Sequence, residues 1–228
     1  MSASSTSNGK NARSVVTLGI AGGSGGGKTT LARAIAKALG GNDEVVYLSH
    51  DYYYKDLSHK RVEERVQTNF DHPDSLDTGL MIEHVKELRK GNAIQVPTYC
   101  FKTHCRMEEI KHVTPKPITI VEGILIFTDV DLRKELDLMV YVDADADVRL
   151  SRRLERDINE RGRSFESVIK QYHATVRSMH AEWVEPSKKF ADLVVQTSDH
   201  SLDIAVKTLT NHLRAEASGI NLERNDGN

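Results

Sequence analysis

The chain has 228 residues, 31 of them Lys or Arg against 33 Asp or Glu, for a formal net charge of -2, and 39% are hydrophobic. That balance excludes a general nucleic-acid binder, which carries a basic excess, and the apolar content suffices for one large α/β domain with a continuous core. The two cysteines, Cys100 and Cys105, exclude a disulfide framework and point to a reducing, cytoplasmic setting; no apolar run reaches the length of a membrane span.

Residues 1–13 are rich in Ser and Asn and lack a hydrophobic stretch, so they read as a disordered tail and not as a secretory signal. Val15 to Ala21 is a short apolar run ahead of glycines, the pattern of a buried strand ending in a loop. Lys28 to Leu39 has helical periodicity and is stopped by Gly40-Gly41. Glu44 to Ser49 is a second strand. Asp77-Thr78 can cap a helix reaching about Lys90, with Leu80, Ile82, Val85 and Leu88 as its apolar positions.

Ile94 to Phe101 and Met107 to Val113 predict a pair of short strands forming a flap outside the main sheet, since Pro97, Pro115 and Pro117 punctuate them. Pro117 to Leu125, Leu136 to Val142 and Leu193 to Val195 supply three more strands. Helices are expected over Asp147 to Glu160 and Phe165 to His180, separated by Gly162, and over Leu202 to Leu213. Alternating strands and helices predict a three-layer sandwich around a mainly parallel five-stranded sheet. One domain over 14–216 is expected, with the flap at about 93–114, a helical lid at about 148–172, and a loose tail over 217–228.

Gly22-Gly23-Ser24-Gly25-Gly26-Gly27-Lys28-Thr29 fits the P-loop pattern G-x-x-x-x-G-K-[ST] in full, followed by Thr30. Glycines let the backbone curl until several N–H groups face phosphate oxygens, and the following helix adds the positive end of its dipole. Lys28 then neutralises phosphate charge and the Thr29 hydroxyl coordinates Mg²⁺. The placement between a strand and a helix argues against a merely flexible turn.

Asp51 follows the second strand, where strand ends line the crevice of a doubly wound sheet. It can serve as a general base toward an attacking hydroxyl or cap a turn. Glu122 ends an apolar strand in the manner of a Walker B carboxylate, suited to magnesium, or is a solvated strand end. Arg149, Arg152, Arg153 and Arg156, then Arg161 and Arg163 about Gly162, suit a lid closing on phosphate, with Leu150, Leu154 and Ile158 as the apolar stripe. The alternative is a surface helix whose arginines pair with Glu155, Asp157 and Glu160. Cys100, His104, Cys105 and His112 do not have paired-knuckle zinc spacing.

Taken together, GGSGGGKTT, HDYYYKD, NFDHPDSLD, PTYCFKTHCR, IVEGIL, VDADADVRLSRRLERDINERGR, the pair Gln171-Tyr172 and VEPSKKFAD resemble the uridine kinase (uridine–cytidine kinase) family from about Val16 to Val195. The resemblance implies transfer of the γ-phosphate of ATP or GTP, with Mg²⁺, to the 5′-hydroxyl of uridine or cytidine. It makes Asp51 the base and Lys28, Arg156 and Arg161 the phosphate-side catalytic groups. Gly22 to Thr30 would hold the donor phosphates, and Thr29 with Glu122 the metal. Asp71 would bind the ribose, Tyr99 and His104 the pyrimidine, and Arg153, Arg163 and Gln171 would complete the nucleoside pocket. The implied partners are small-molecule nucleoside and nucleotide, with neither nucleic acid nor membrane, and a homo-oligomer, a tetramer by family habit.

Three features depart from the family's pattern: Cys100 replaces an Asp in the flap, Ser178 replaces a Pro, and the segment 196–201 replaces a P-R-G-G-x-N loop near the donor base. Two other readings stay open. One is a P-loop kinase of another small alcohol, phosphoribulokinase-like; the other is a nucleotide-binding regulator with little activity.

Overall fold

Strand β1 (Val16–Gly22) is buried along its whole length and lies at the centre of the sheet. Around it the computed structural model, which describes residues 15–198 and 202–219, places β2 (Val45–Ser49), β5 (Ile118–Glu122), β6 (Leu138–Asp143) and β7 (Leu193–Gln196). The order β2-β5-β1-β6-β7 is parallel throughout the five-stranded sheet. The flap is a separate antiparallel pair, β3 (Ile94–Cys100) and β4 (Cys105–Val113).

Side chains alternate between the two faces, so each strand feeds two cores. Leu18, Ile20, Val140 and Val142 pack with helices α1 (Lys28–Leu39) and α9 (Asp203–Ala217) through Leu31, Ile35, Leu209 and Leu213. Val46, Leu48, Val121 and Tyr141 face the opposite layer, where α3 (Thr78–Arg89) contributes Met81, Val85 and Leu88. Cutting back a fully buried side chain such as Leu18 to Ala removes about 2–5 kcal/mol. All five strands point their C-terminal ends at one edge, and the crevice there receives the site.

The remaining helices are α2 (Val62–Val66), α4 (Val130–Lys134), α5 (Ala146–Asn159), α6 (Phe165–Gln171), α7 (Arg177–Met179) and α8 (Glu185–Ser187). Residues 172–176 and 180–184 are π-helical turns joining the last three. The helix expected to end at His180 therefore runs on without a break to 187, widened twice. Short α2 and α4 have no sequence periodicity long enough to declare them.

Two predicted faces are corrected. Helix α3 is capped by Asp77, whose carboxylate accepts from the Leu80 N–H at 3.2 Å, but it buries Met81 and His84 with Val85 and Leu88, leaving Leu80 and Ile82 half-buried. The hydrogen bond between the Tyr53 hydroxyl and His84 Nδ1, 2.9 Å, gives that imidazole the partner burial requires. On α5 the expected stripe is not the buried face: Ile158 is 39% exposed, and the buried residues are Arg153 and Asp157. That helix is fixed by ion pairs. The final helix also extends to Ala217, a residue expected in the tail. The expected tail 1–13, most of the C-terminal tail and residues 199–201 of the altered loop lie outside the described residues.

Candidate active site

The P-loop leaves no room for a side chain at Gly22 or Gly25. A Cβ on Gly22 would lie 2.2 Å from the Val142 carbonyl oxygen, and one on Gly25 2.2 Å from that of Arg149, with φ of +143° and +78° respectively. Only glycine combines that approach with that backbone. Gly27, also left-handed at φ 96°, caps α1 and points its first turn at the loop's cavity. Lys28 is buried; its Nζ donates to the Gly23 carbonyl at 3.0 Å. Burial pulls its pKa down, opposed by the charges of Glu122 and Asp51. Lys28 thus spans the loop it belongs to.

Glu122 ends β5 directly opposite Ser49 at the end of β2. Its Oε1 accepts from Ser49 Oγ at 2.9 Å, the Tyr47 hydroxyl at 2.9 Å and Thr29 Oγ1 at 3.3 Å. A hydroxyl and a carboxylate oxygen side by side beneath the phosphate loop are hard oxygen donors, the chemistry a magnesium ion requires. Asp51 sits one turn beyond β2, in the 3-10 turn 50–53. The adjoining His50 fills the space beside Gly123, where a Cβ would lie 2.5 Å from its own, and burial lowers its pKa to about 4.

Two cavities open here. The donor-side groove includes Gly25, Gly27, Thr30, Arg33 and Arg152 on its wall. The acceptor-side cavity, about 810 Å³ out to its open mouth, takes Ser24, Asp71, Tyr99, His104, Arg163 and Gln171. Both are lined by Lys28, Thr29, Asp51, Phe101, Glu122, Arg156 and Arg161, so they meet where the P-loop lysine faces Asp51. Every residue singled out for the acceptor, Asp71, Tyr99, His104, Arg153, Arg163 and Gln171, lies in this second cavity.

The acceptor cavity is aromatic on one side. His104, at φ 56°, stacks on Phe70 with 4.7 Å between centroids and 19° between planes. Burial lowers its pKa, with Arg163 and Arg65 adding to the effect. Tyr99 packs on Tyr54 and Phe101, while its hydroxyl is buried without a partner among the described residues. A buried orphan hydroxyl at a cavity wall is a ready ligand contact. Opposite, Asp71 is buried; burial pushes its pKa up while Arg153 opposes.

The arginines of α5 and of the turn after it gather about one carboxylate. Asp157 is fully buried, with Arg156 at 2.8 Å, Arg163 at 3.4 Å, Arg161 at 3.5 Å and Arg153 at 3.7 Å. Burial pushes its pKa up, but Arg156, Arg153 and Arg161 outweigh this and hold it below the usual carboxylate range. Arg163 also donates to Gln171 Oε1 at 2.5 Å, and Arg161 covers the Phe101 ring at 4.5 Å. Sequence reasoning leaves Asp157 as one of three possible partners, because spacing cannot tell a buried acid from an exposed one. It also passes over Tyr54, Phe70 and Phe101 on the wall of that aromatic cavity, and over Thr197, whose hydroxyl donates to the Gly26 carbonyl at 2.7 Å. The order of aromatics in NFDHPD and TYCF was the available signal for the phenylalanines.

The model of the phosphoribulokinase/uridine kinase family matches residues 17–203. A uridine kinase of Geobacillus sp. is 47% identical over 199 residues, 87% of this chain and 93% of that protein. One from Chloroflexus aurantiacus is 50% identical over 179 residues, 78% of this chain and 85% of its own. Among solved structures, a putative fructose transport system kinase from Silicibacter sp. superposes with TM-score 0.65 at 18% identity, over 82% of this chain and 92% of that one. Phosphoribulokinase from Rhodobacter spheroides gives TM-score 0.59 at 12% identity, over 81% and 71% of the two chains. These two show a shared fold of P-loop kinases. With a full P-loop at the end of the central strand and near-full-length relatives at this identity, the chain belongs to the phosphoribulokinase/uridine kinase family.

Proposed function

We propose that the protein is a uridine/cytidine kinase, transferring the γ-phosphate of ATP or GTP to the nucleoside 5′-hydroxyl to give UMP or CMP. The observation that carries this reading is the meeting of a phosphate-side groove and an aromatic, hydroxyl-binding cavity at Lys28, Asp51, Arg156 and Arg161. Asp51 accepts the proton of the attacking hydroxyl and aims it in line. Asp71 holds the ribose hydroxyls; Tyr99 and His104 contact the base; Arg153, Arg163 and Gln171 close the pocket. Gly22 to Thr30 cradle the donor, while Lys28, Arg156 and Arg161 offset its phosphate charge. Thr29 and Glu122 would hold magnesium, which when bound neutralises and orients the phosphate oxygens.

The identity of the named relatives over most of their length supports the pyrimidine nucleoside acceptor over a sugar phosphate. A cytoplasmic, homo-oligomeric enzyme acting on small molecules fits the family; among the described residues no helix is long and apolar enough to cross a membrane. The test is an acceptor panel read by ADP release with Mg²⁺ and ATP or GTP. Uridine and cytidine are the expected acceptors. Turnover of ribulose 5-phosphate with idle nucleosides would instead assign the sugar-kinase branch, and nucleotide binding without any transfer a regulator.

A further inference from the structure

Cys100 and Cys105, the chain's two cysteines, are both free and only partly buried. The pairing of β3 with β4 sets them directly opposite one another, at the mouth of the turn 101–104. Opposed residues of an antiparallel pair have Cα atoms about 4.5–5.5 Å apart, and disulfides span about 4.4–6.8 Å. That register puts the two cysteines within the Cα spacing a disulfide spans. Thr103 lies between them: it hydrogen-bonds the Cys100 sulfur through side chain and backbone, and its carbonyl accepts from Cys105 Sγ at 3.4 Å. The Cys100 thiol is held below its ordinary pKa, first by the Thr103 hydrogen bonds, then by Lys102, despite some opposing burial. That favours the nucleophilic thiolate.

We propose that Cys100 and Cys105 form a reversible disulfide when exposed to a hydroperoxide, and that this bond resets the flap tip and weakens nucleoside binding. The Cys100 thiolate attacks the terminal peroxide oxygen: an S–O bond forms, the O–O bond breaks, and the departing hydroxide (alkoxide, for an organic hydroperoxide) takes a proton to become water or the alcohol. The Cys105 sulfur then attacks the sulfenic acid. The S–S bond forms, the S–O bond breaks, and hydroxide leaves with the Cys105 proton as water. The two thiols lose two electrons and two protons in all, and a dithiol reductant restores them.

The consequence follows from what the turn carries. The His104 N–H closes it on the Cys100 carbonyl at 2.9 Å, and Thr103 ties it to both sulfurs. Joining the sulfurs releases Thr103, and the turn must find a new arrangement. Phe101, whose ring lies under Arg161, and His104, stacked on Phe70, are part of that turn. Nucleoside affinity therefore falls, while the P-loop, on another element, keeps its hold on nucleotide.

The experiment treats the full chain with hydrogen peroxide, then removes it. Expected are loss of both titratable thiols, a monomer-mass decrease of about two hydrogens, and no cross-linked species on non-reducing gels. Uridine KM should rise about tenfold with ATP KM unchanged, and dithiothreitol should reverse every change. Cys105→Ser and Cys100→Ser, each on a surface hairpin, should both be insensitive in KM. Thiols that survive treatment, or that pair only between chains, overturn the disulfide; a cross-linked monomer with unaltered uridine KM overturns the flap effect. The KM arm rests on the nucleoside-kinase reading, whereas thiol count and mass do not, so failure of that reading is separately visible.

Discussion

Arg153 donates from Nη1 to Ser24 Oγ at 2.8 Å and from Nη2 to Gln171 Oε1 at 2.9 Å, so one buried guanidinium joins the P-loop to the acceptor cavity. A planar fork can serve both partners; an ammonium cannot. Arg153→Lys is expected to raise uridine KM about tenfold and to lower kcat as well, because Ser24 loses its donor. Initial rates over a uridine titration at saturating ATP check this. A purely steric role for Arg153 would leave kcat unaltered.

Asp51→Asn keeps shape and removes the proton acceptor. Turnover should fall about 10²–10⁴-fold, with ATP affinity by equilibrium titration unchanged within error. Retained turnover would remove Asp51 as base.

Asp157→Asn leaves four arginines around a neutral amide. Losing one partner of a buried ionic cluster commonly costs about 3–5 kcal/mol, which should appear as a clear drop in melting temperature. Asp157→Glu tests position rather than charge: it should recover most stability but little kcat, since the longer carboxylate displaces Arg156 and Arg161. The depressed Asp157 pKa also sets a sign. Its stabilising contribution is present above the ordinary carboxylate pKa and is lost as pH falls through the lower folded value.

His50 and His180 act in a higher window. Burial lowers both to about 4, with Arg149 reinforcing His180. The unfolded chain then binds protons that the folded chain refuses, so stability should decline as pH is lowered from about 6.5 to about 4. Melting temperature against pH measures this, and His180→Gln should flatten the slope.

Thr197→Val removes the 2.7 Å bond to the Gly26 carbonyl. At about 1 kcal/mol this predicts roughly a fivefold rise in ATP KM. Uridine KM should stay constant, distinguishing loss of the donor loop from general destabilisation.

Much of this architecture was legible because its causes are local. The P-loop glycines, the helix from Lys28 to Leu39 and the alternation of apolar strands each follow from backbone geometry within a few residues. The capping Asp77 was legible for the same reason. What stayed hidden depends on long-range company. His84 can be buried because Tyr53 meets it, and Asp157 because arginines from two segments surround it. Glu122 was readable as a strand-end carboxylate, but the Tyr47 and Ser49 hydroxyls that fix its orientation come from a strand 73 to 75 residues away. The π turns after Gln171 have no composition of their own that periodicity could detect.

Strand β7 is the outer strand beside β6, with Leu193 and Val194 each 45% exposed, and Thr197 just beyond it reaches the P-loop. An outer strand is the part of a sheet that opens at least cost. Here the opening of that strand would also release Gly26, so fraying of the sheet and slackening of the phosphate loop are one event. Ligand binding opposes whatever opening it disfavours. Nucleotide at the P-loop should therefore slow amide hydrogen exchange along Leu193–Gln196, a segment that lines neither cavity.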